Sequence, residues 1–304
     1  MANTLSDTVL LAPSDYAAPG RELADALGAG YAPLGEHRFP DGESLITLPS
    51  AIREHVFVYS SLDRPNERLL PLLLTLHGLR DAGARWIGLI CPYLAYMRQD
   101  AAFNPGEVIS QQIISRLLAA PIDALWTVDP HLHRVRSLNT VFPDISAVAM
   151  TAAPLLADWI AAEAGEAVLL GPDLESEQWV SSIAARCQRP WGVATKTRLG
   201  DREVEIQLPD VPVDGKPCVL IDDVASTGRT LAAATQQLLA AGATQVDVLV
   251  THAMLVGDAE ETLRQAGVGQ LISTDSITHT SNRLPLAPLL GEQVANDVAD
   301  LFPG

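Results

Sequence analysis

Residues 219–231, VLIDDVASTGRTL, place two adjacent carboxylates and a loop of hydroxyl and glycine residues after a short apolar run. We expect a buried strand to end at Ile221, so that Asp222 and Asp223 emerge at the edge of a sheet. The loop then leads directly into a helix, whose first turn carries free N–H groups and partial positive charge. Such a segment is able to bind a phosphate group.

The side chains of this loop fit a sugar phosphate. Hydroxyls donate hydrogen bonds, and glycine lets the backbone approach a ligand closely. The aspartates repel a phosphate but accept hydrogen bonds from a diol or hold a magnesium ion. A phosphate beside a diol indicates ribose 5-phosphate, whereas a simple helix cap would explain one hydroxyl and neither the acidic pair nor the glycine. The predicted binding residues are Asp222, Asp223, Ser226, Thr227, Gly228, Arg229 and Thr230.

The elements that position these residues follow from an alternation of strands and helices. Runs such as HVFVYSS and KPCVLIDDV are typical of strands, and stretches such as VISQQIISRLLAA are typical of helices. The alternation predicts an α/β fold whose mainly parallel sheet is flanked by helices. The rhythm starts again near residue 147, which predicts two similar domains, 1–147 and 148–304.

Polar clusters follow four of the predicted strands. Because ligands of such sheets bind beyond the carboxyl ends of the strands, four clusters at such ends predict a binding site. The clusters are YLAYMRQD, WTVDPHLHR, LLGPDLES and LIDDVASTGRT.

The segment LIDDVASTGRTL resembles the phosphoribosyl-diphosphate (PRPP) binding loop of two families, type I phosphoribosyltransferases and ribose-phosphate pyrophosphokinases (PRPP synthetases). The resemblance implies that both domains have the type I phosphoribosyltransferase-like fold. The loop alone does not distinguish the families, but five further segments resemble the pyrophosphokinases. Together they cover nearly the whole chain, from residue 8 to about residue 290.

Two of these segments imply an ATP site. HRFPDGES is similar to the family's RF-x-DGE segment, in which an aromatic residue packs against adenine, here Phe39. CPYLAYMRQD is similar to the family's PY-x-x-YARQD stretch, so Arg98 would meet phosphate charge and Gln99 the nucleotide. The ATP-binding residues implied are Phe39, Asp41, Gly42, Glu43, Arg98 and Gln99.

Two other segments imply magnesium ligation. WTVDPHLHR resembles the family's TVDLH segment and places His131 near the ATP phosphates and the metal, with Asp129 beside it. GPDLESEQW corresponds to the family's SPD-x-GG segment and retains Asp173 as a carboxylate near metal and ribose. The family's Gly-Gly and Arg are absent here. The departure puts in question how the transferred group is held and leaves direct ligation by Glu175 as an option.

Residues 193–208 resemble the family's mobile hairpin, which carries a Lys-x-Arg pair, here Lys196 and Arg198. Exposed basic residues ordinarily serve only to keep a protein soluble. The resemblance instead implies that Lys196 and Arg198 are catalytic and that Arg198 also contacts ribose 5-phosphate. Type I phosphoribosyltransferases usually lack this hairpin and the ATP segments.

Composition limits the other possibilities. The formal net charge of −17 argues against a nucleic-acid partner. No stretch reads as a membrane span or signal peptide, and three dispersed cysteines suit a reducing compartment, so we expect a cytoplasmic protein. The segment after Gln99-Asp100 lacks the basic extension of many bacterial members of the family and resembles archaeal-type members. This difference predicts weak or no activation by inorganic phosphate.

The resemblance thus implies a ribose-phosphate diphosphokinase. It would transfer the β,γ-diphosphoryl group of ATP to the anomeric hydroxyl of ribose 5-phosphate, giving PRPP and AMP, with Mg²⁺ as cofactor. It also implies a homo-oligomer in which the segment around Phe39 completes the adenine site of a neighbouring subunit. Two alternatives remain: a non-catalytic regulatory homologue, and a phosphoribosyltransferase that consumes PRPP.

Overall fold

The computed structural model describes residues 5–132, 137–198, 204–299 and 301 of the 304-residue chain. The chain forms two compact units. The first comprises residues 1–150 and 285–304, and the second comprises residues 151–284. Each unit has a parallel sheet flanked by helices, as the alternation predicted.

The first unit is built on a sheet with the order β2-β1-β5-β6-β7-β8, in which neighbouring strands are parallel. Its strands are β1 (Thr8–Ala12), β2 (Gly30–Pro33), β3 (Gly35–Arg38), β4 (Ser44–Thr47), β5 (His55–Tyr59), β6 (Trp86–Ile90), β7 (Ala124–Val128) and β8 (Ser146–Met150). Its helices include α1 (Ala17–Leu27), α2 (Pro65–Asp81), α3 (Ser110–Ala119) and α4 (Leu138–Val141). Every residue of β7 is buried, because helices cover both faces of a parallel sheet.

The second unit is built on a sheet with the order β10-β9-β13-β14-β15-β16, also with parallel neighbours. Its strands are β9 (Val168–Gly171), β10 (Trp191–Val193), β11 (Thr195–Arg198), β12 (Val204–Gln207), β13 (Pro217–Ala225), β14 (Gln245–Ala253), β15 (Leu271–Thr274) and β16 (Asn282–Leu284). Its helices are α5 (Ala153–Glu163), α6 (Glu177–Cys187), α7 (Arg229–Ala240) and α8 (Ala259–Ala266). The longest strands, β13 and β14, pair along their whole length at the centre of the core.

The two units repeat one topology. In each sheet the second strand lies at one edge beside the first, and the remaining strands follow in chain order. Each unit also carries an antiparallel hairpin between the second and third strands of its sheet, β3–β4 in the first unit and β11–β12 in the second. By this order β5 corresponds to β13, and the segment after β1 corresponds to the segment after β9.

The last helix, α9 (Ala287–Val298), belongs to the first unit, which differs from the expected division into residues 1–147 and 148–304. It packs on α1, where a Cβ added at Gly291 would lie 2.8 Å from the Cβ of Ala26. The indole N–H of Trp126, on β7, donates a 2.7 Å hydrogen bond to Asp297 on α9. Periodicity predicts that such a helix has a buried face but not which unit buries it.

In the described part of the chain, no helix combines the length and apolar character needed to cross a bilayer.

The contact between Trp126 and Asp297 should stabilise the first unit. Trp126 is 1% exposed, so Asp297→Ala would leave a buried indole N–H without its acceptor. We expect the substitution to lower the free energy of unfolding by about 1–3 kcal/mol, measured by urea denaturation. Asp297→Asn is the control, because it keeps an acceptor oxygen and should lose less. Equal stability of Asp297→Ala and the wild type would refute this role.

Candidate active site

The acidic pair lies within strand β13 and not beyond its end. We expected the strand to end at Ile221, but its ladder with β14 continues through the pairs Asp222–Val250 and Ala225–Ala253. The carboxylate of Asp222 accepts a 3.0 Å hydrogen bond from the backbone N–H of Asp223, which is 5% exposed. The two carboxylates are therefore held by a rigid central strand.

The second unit brings together three of the predicted carboxylates. Burial raises the pKa of Asp222 well above its usual value, and the negative charges of Asp223 and Asp173 raise it further. Close carboxylates disfavour one another's ionised forms in a partly dehydrated site. A cation or a set of hydroxyl donors would relieve this repulsion.

The loop after β13 has its backbone fixed by neighbouring segments. The carbonyls of Ala225 and Ser226 accept hydrogen bonds from Leu255 (2.9 Å) and Val256 (3.1 Å). Gly228 adopts a left-handed conformation, φ 71°, directly before α7, and a Cβ there would lie 3.2 Å from the carbonyl oxygen of Ala259. A side chain at position 228 would be both strained and crowded. The loop therefore presents the N-terminus of α7 on a defined backbone.

Asp173 lies where the family-like segment departs from its pattern. Its carboxylate accepts a 3.1 Å hydrogen bond from the N–H of Glu175 and caps a single 3-10 turn, Leu174–Ser176. The hydroxyl of Ser176 is buried and donates to the carbonyl of Asp173 at 2.6 Å. A Cβ at Gly171 would lie 2.2 Å from that hydroxyl oxygen, so Ser176 packs directly on the end of β9. Glu175 is exposed.

The segment that carries Lys196 and Arg198 forms the hairpin β11–β12, as the resemblance predicted. Lys196 pairs with Ile206 and Arg198 pairs with Val204 in an antiparallel register. Lys196 and Arg198 are thus two residues apart on one strand of the hairpin. Residues 199–203, which connect the two strands, lie outside the described residues.

In the first unit, the predicted adenine segment forms the tip of hairpin β3–β4. Phe39 is 41% exposed and makes an edge-to-face contact with His37, with ring centroids 4.9 Å apart. The N–H of Phe39 donates to the carbonyl of Glu43 at 2.8 Å, and Asp41 accepts from the N–H of Glu43 at 3.1 Å. Gly42 has φ 98°, which favours glycine. The tip is a closed turn that presents an aromatic face.

The predicted ATP segment after β6 contains one exposed cation and one tethered amide. Arg98 is exposed, whereas the side-chain N–H of Gln99 donates to the carbonyl of Ala101 at 2.9 Å. Glu107 closes the following loop by accepting from the N–H groups of Phe103 (2.8 Å) and Asn104 (3.1 Å). Residues 100–107 include no lysine or arginine.

His131 lies two residues beyond Asp129, just after β7. Asp129 is 6% exposed and has φ 38°, and its N–H donates to the carbonyl of Met150 at 2.8 Å. A non-glycine residue in this conformation is strained, and such residues cluster at functional sites. His131 is half-buried.

A charged cluster in the first unit was not predicted. Arg64 and Arg68 form ion pairs with Asp15 and Asp63, and the hydroxyl of Tyr16 donates to Asp63 at 2.9 Å. Asp15 follows β1 as Asp173 follows β9, and this correspondence was the signal available in the sequence. The carboxylates beside β1 and β5 are thus neutralised by arginines of the same unit.

The donor set suits a weakly held Mg²⁺ and not a preformed metal cage. Among the described residues, no group of three or more histidines, cysteines or acids is arranged to hold a metal ion. Mg²⁺ usually keeps several waters and binds proteins through one or two carboxylates together with substrate phosphates. Asp173, whose negative charge acts on Asp222, fits that role as one such carboxylate.

Fold and site together define a phosphoribosyltransferase-type protein. A family model described as the N-terminal domain of ribose phosphate pyrophosphokinase matches residues 9–121, and a phosphoribosyl transferase domain model matches residues 143–267. A ribose-phosphate pyrophosphokinase of Methanopyrus kandleri is 35% identical over 95% of this chain and 99% of its own length. One of Saccharolobus solfataricus is 36% identical over 79% of this chain and 82% of its own length.

A solved structure extends the similarity to the whole fold. The phosphoribosylpyrophosphate synthetase of Mycobacterium smegmatis matches 97% of this chain and 99% of its own chain, with a TM-score of 0.81 and 26% identity. The chain belongs to the ribose-phosphate pyrophosphokinase family, as the resemblance implied.

Removing one charge from the acidic group should stabilise the metal-free protein. Because the pKa of Asp222 is raised in the folded protein, protonated Asp222 favours the folded state. This stabilisation is complete below the unfolded pKa, about 3.9, and is lost as pH rises through the folded pKa. Asp222→Asn avoids that loss, so its melting temperature should exceed the wild type's at neutral pH. A gain of about 1 kcal/mol corresponds to about 2–4 °C.

The measurement is thermal unfolding in chelator between about pH 4 and pH 8, with the difference shrinking toward the acid end. Asp210→Asn is a matched control, because Asp210 is exposed in the same unit. A melting temperature of Asp222→Asn at or below the wild type's at neutral pH would contradict the repulsion.

Proposed function

We propose that this protein catalyses the transfer of the β,γ-diphosphoryl group of ATP to the anomeric hydroxyl of ribose 5-phosphate, giving PRPP and AMP. The observation that carries the proposal is one continuous segment, in which Asp222 and Asp223 on β13 lead through a glycine-fixed loop to the N-terminus of α7. The named activity of the pyrophosphokinase relatives supports it.

Ribose 5-phosphate binds along this segment. The backbone N–H groups at the start of α7 and the hydroxyls of Ser226, Thr227 and Thr230 hold the 5-phosphate. Asp222 and Asp223 accept hydrogen bonds from the ribose hydroxyls, which replaces repulsion between carboxylates with pairing to donors. A rigid strand and a fixed loop orient the anomeric hydroxyl for attack on the β-phosphorus.

ATP binds through residues of the first unit. The exposed ring of Phe39 stacks on adenine, with Asp41, Gly42 and Glu43 beside it in the turn. Arg98 meets phosphate charge, and Gln99 contacts the nucleotide once its amide exchanges its present partner for the ligand.

The reaction is an in-line displacement in which positioning and charge stabilisation supply most of the catalysis. Lys196 and Arg198 stabilise charge on the transferred group, and Arg198 also reaches ribose 5-phosphate. Asp173 and His131 would each be a magnesium ligand, and the metal would neutralise phosphate charge. Closure of the hairpin would also exclude water from the transferred group.

We also propose a cytoplasmic location, which suits three free cysteines, Cys91, Cys187 and Cys218.

One observation favours a second candidate, a non-catalytic homologue. The residues that replace the family's Gly-Gly include the exposed Glu175, with Glu177 in the first turn of α6. Acidic side chains there oppose a bound diphosphate, since like charges repel. The assay that follows separates the two candidates.

The purified protein should convert ATP and ribose 5-phosphate to equal amounts of AMP and PRPP in the presence of Mg²⁺. Lys196→Ala should slow turnover by about two to three orders of magnitude, because it removes a donor to the developing charge. The chain has two lysines, so Lys216→Ala is a matched control that should keep full activity. ATP binding without product would instead support the non-catalytic homologue.

We further propose a homo-oligomer in which the Phe39 tip completes the adenine site of a neighbouring subunit. Phe39→Ala and Arg98→Ala should each abolish most activity. When the two variants are co-expressed, about one site in four combines an intact Phe39 from one subunit with an intact Arg98 from the next. The mixture should therefore recover about a quarter of wild-type activity. A mixture no more active than either variant alone would contradict the shared site.

A further inference from the structure

The chain makes a left-handed turn at Tyr96, two residues before Arg98. Tyr96 has φ 65°, and among the described residues only three other non-glycine residues have a positive φ. This conformation is sterically unfavourable for a residue that carries a side chain. It persists only where the surrounding structure holds it.

The tyrosine hydroxyl supplies one such restraint. It donates a hydrogen bond to the side-chain oxygen of Asn66, the second residue of α2. The ring itself packs against the hydrophobic core of the first unit. The turn is therefore tied at its side chain to a helical residue that lies 30 positions earlier in the chain.

Backbone contacts hold the chain on both sides of the turn. Before it, the N–H of Tyr93 donates to the hydroxyl of Ser61 at 3.0 Å, and the carbonyl of Tyr93 accepts from Leu62 at 2.9 Å. After it, the carbonyl of Met97 accepts from the buried side chain of Gln111 at 3.2 Å. Met97 is 1% exposed, so the turn sends Met97 inward and leaves Arg98 exposed.

We propose that the hydrogen bond between Tyr96 and Asn66 positions Arg98 for the phosphates of ATP. The inference rests on the proposed function, in which Arg98 contacts ATP. A change of backbone angles at Tyr96 rotates the chain that follows, and Arg98 is its first exposed residue. Small misplacements of a positioning group have large effects on a transfer reaction. Tyr96 and Asn66 are thus positioning residues.

The hydrogen bond can be removed without disturbing its surroundings. Tyr96→Phe deletes only the hydroxyl and keeps the ring packed against the core. Asn66→Ala deletes only the acceptor, whereas Asn66→Asp keeps an acceptor oxygen of nearly the same shape. An acidic residue in the first turn of α2 is also compatible with the helix dipole.

The test measures KM for each substrate, together with calorimetric binding of ATP. Tyr96→Phe and Asn66→Ala should each raise KM and Kd for ATP about 3- to 10-fold, the effect of one lost hydrogen bond. KM for ribose 5-phosphate should not change. Asn66→Asp should bind ATP nearly as well as the wild type, and the double variant Tyr96→Phe/Asn66→Ala should be no worse than either single variant.

A purely structural contact would lower the melting temperature of both variants and leave ATP affinity unchanged, which would overturn the inference. The inference also fails if both KM values rise together, or if Asn66→Asp loses affinity as Asn66→Ala does. Wild-type protein that binds no ATP would overturn the proposed function itself, and the inference with it. Unchanged ATP affinity in the variants, with normal binding by the wild type, overturns the inference alone.

Discussion

Repulsion among carboxylates is the constraint on which the second unit depends. Asp222 and Asp223 lie on the central strand of the sheet, and Asp173 follows the neighbouring strand β9. The burial of Asp222, and then the charges of Asp223 and Asp173, raise the pKa of Asp222, so the site opposes its own ionised form. A fold tolerates such strain when a ligand relieves it, and the glycine-fixed loop beside the pair supplies donors for an anionic ligand. The acidic residues are thus matched to hydroxyl donors or a cation, and the helix N-terminus is matched to an anion.

In the first unit, repulsion between carboxylates is offset by arginines of the same unit. Its sheet has the same strand order, and acidic residues follow its first and third strands, β1 and β5, whereas in the second unit they follow β9 and lie within β13. There Arg64 and Arg68 neutralise Asp15 and Asp63 within the unit, so the charges need no external ligand. One topology therefore carries one carboxylate cluster that is internally paired and another that is suited to ligand binding. Function follows the side chains placed on the fold and not the fold itself.

The sequence predicted those parts of the structure that depend on local pattern. Apolar runs located strands such as β6, β7, β9 and β13, and the polar clusters at or after their ends located the candidate site residues. The end of β13 was misplaced because polarity changes at Asp222, whereas pairing with β14 continues to Ala225. The attachment of α9 to the first unit depends on a contact between residues 171 positions apart, which no local pattern reports. The turn at Tyr96 was equally inaccessible, since its side-chain partner lies in another element.

The two hairpins, like the two carboxylate clusters, carry different side chains on the same topology. Both lie between the second and third strands of their sheets, yet β3–β4 presents an aromatic ring and acids, and β11–β12 carries Lys196 and Arg198. The chain has two lysines, and one of them occupies this hairpin, although arginine supplies most of its positive charge. Lysine is a compact, mobile point charge, whereas arginine is a planar fork suited to fixed pairing. A lysine in the hairpin therefore suits the role proposed for Lys196, which is to stabilise charge that develops during transfer, better than it suits a permanent ion pair.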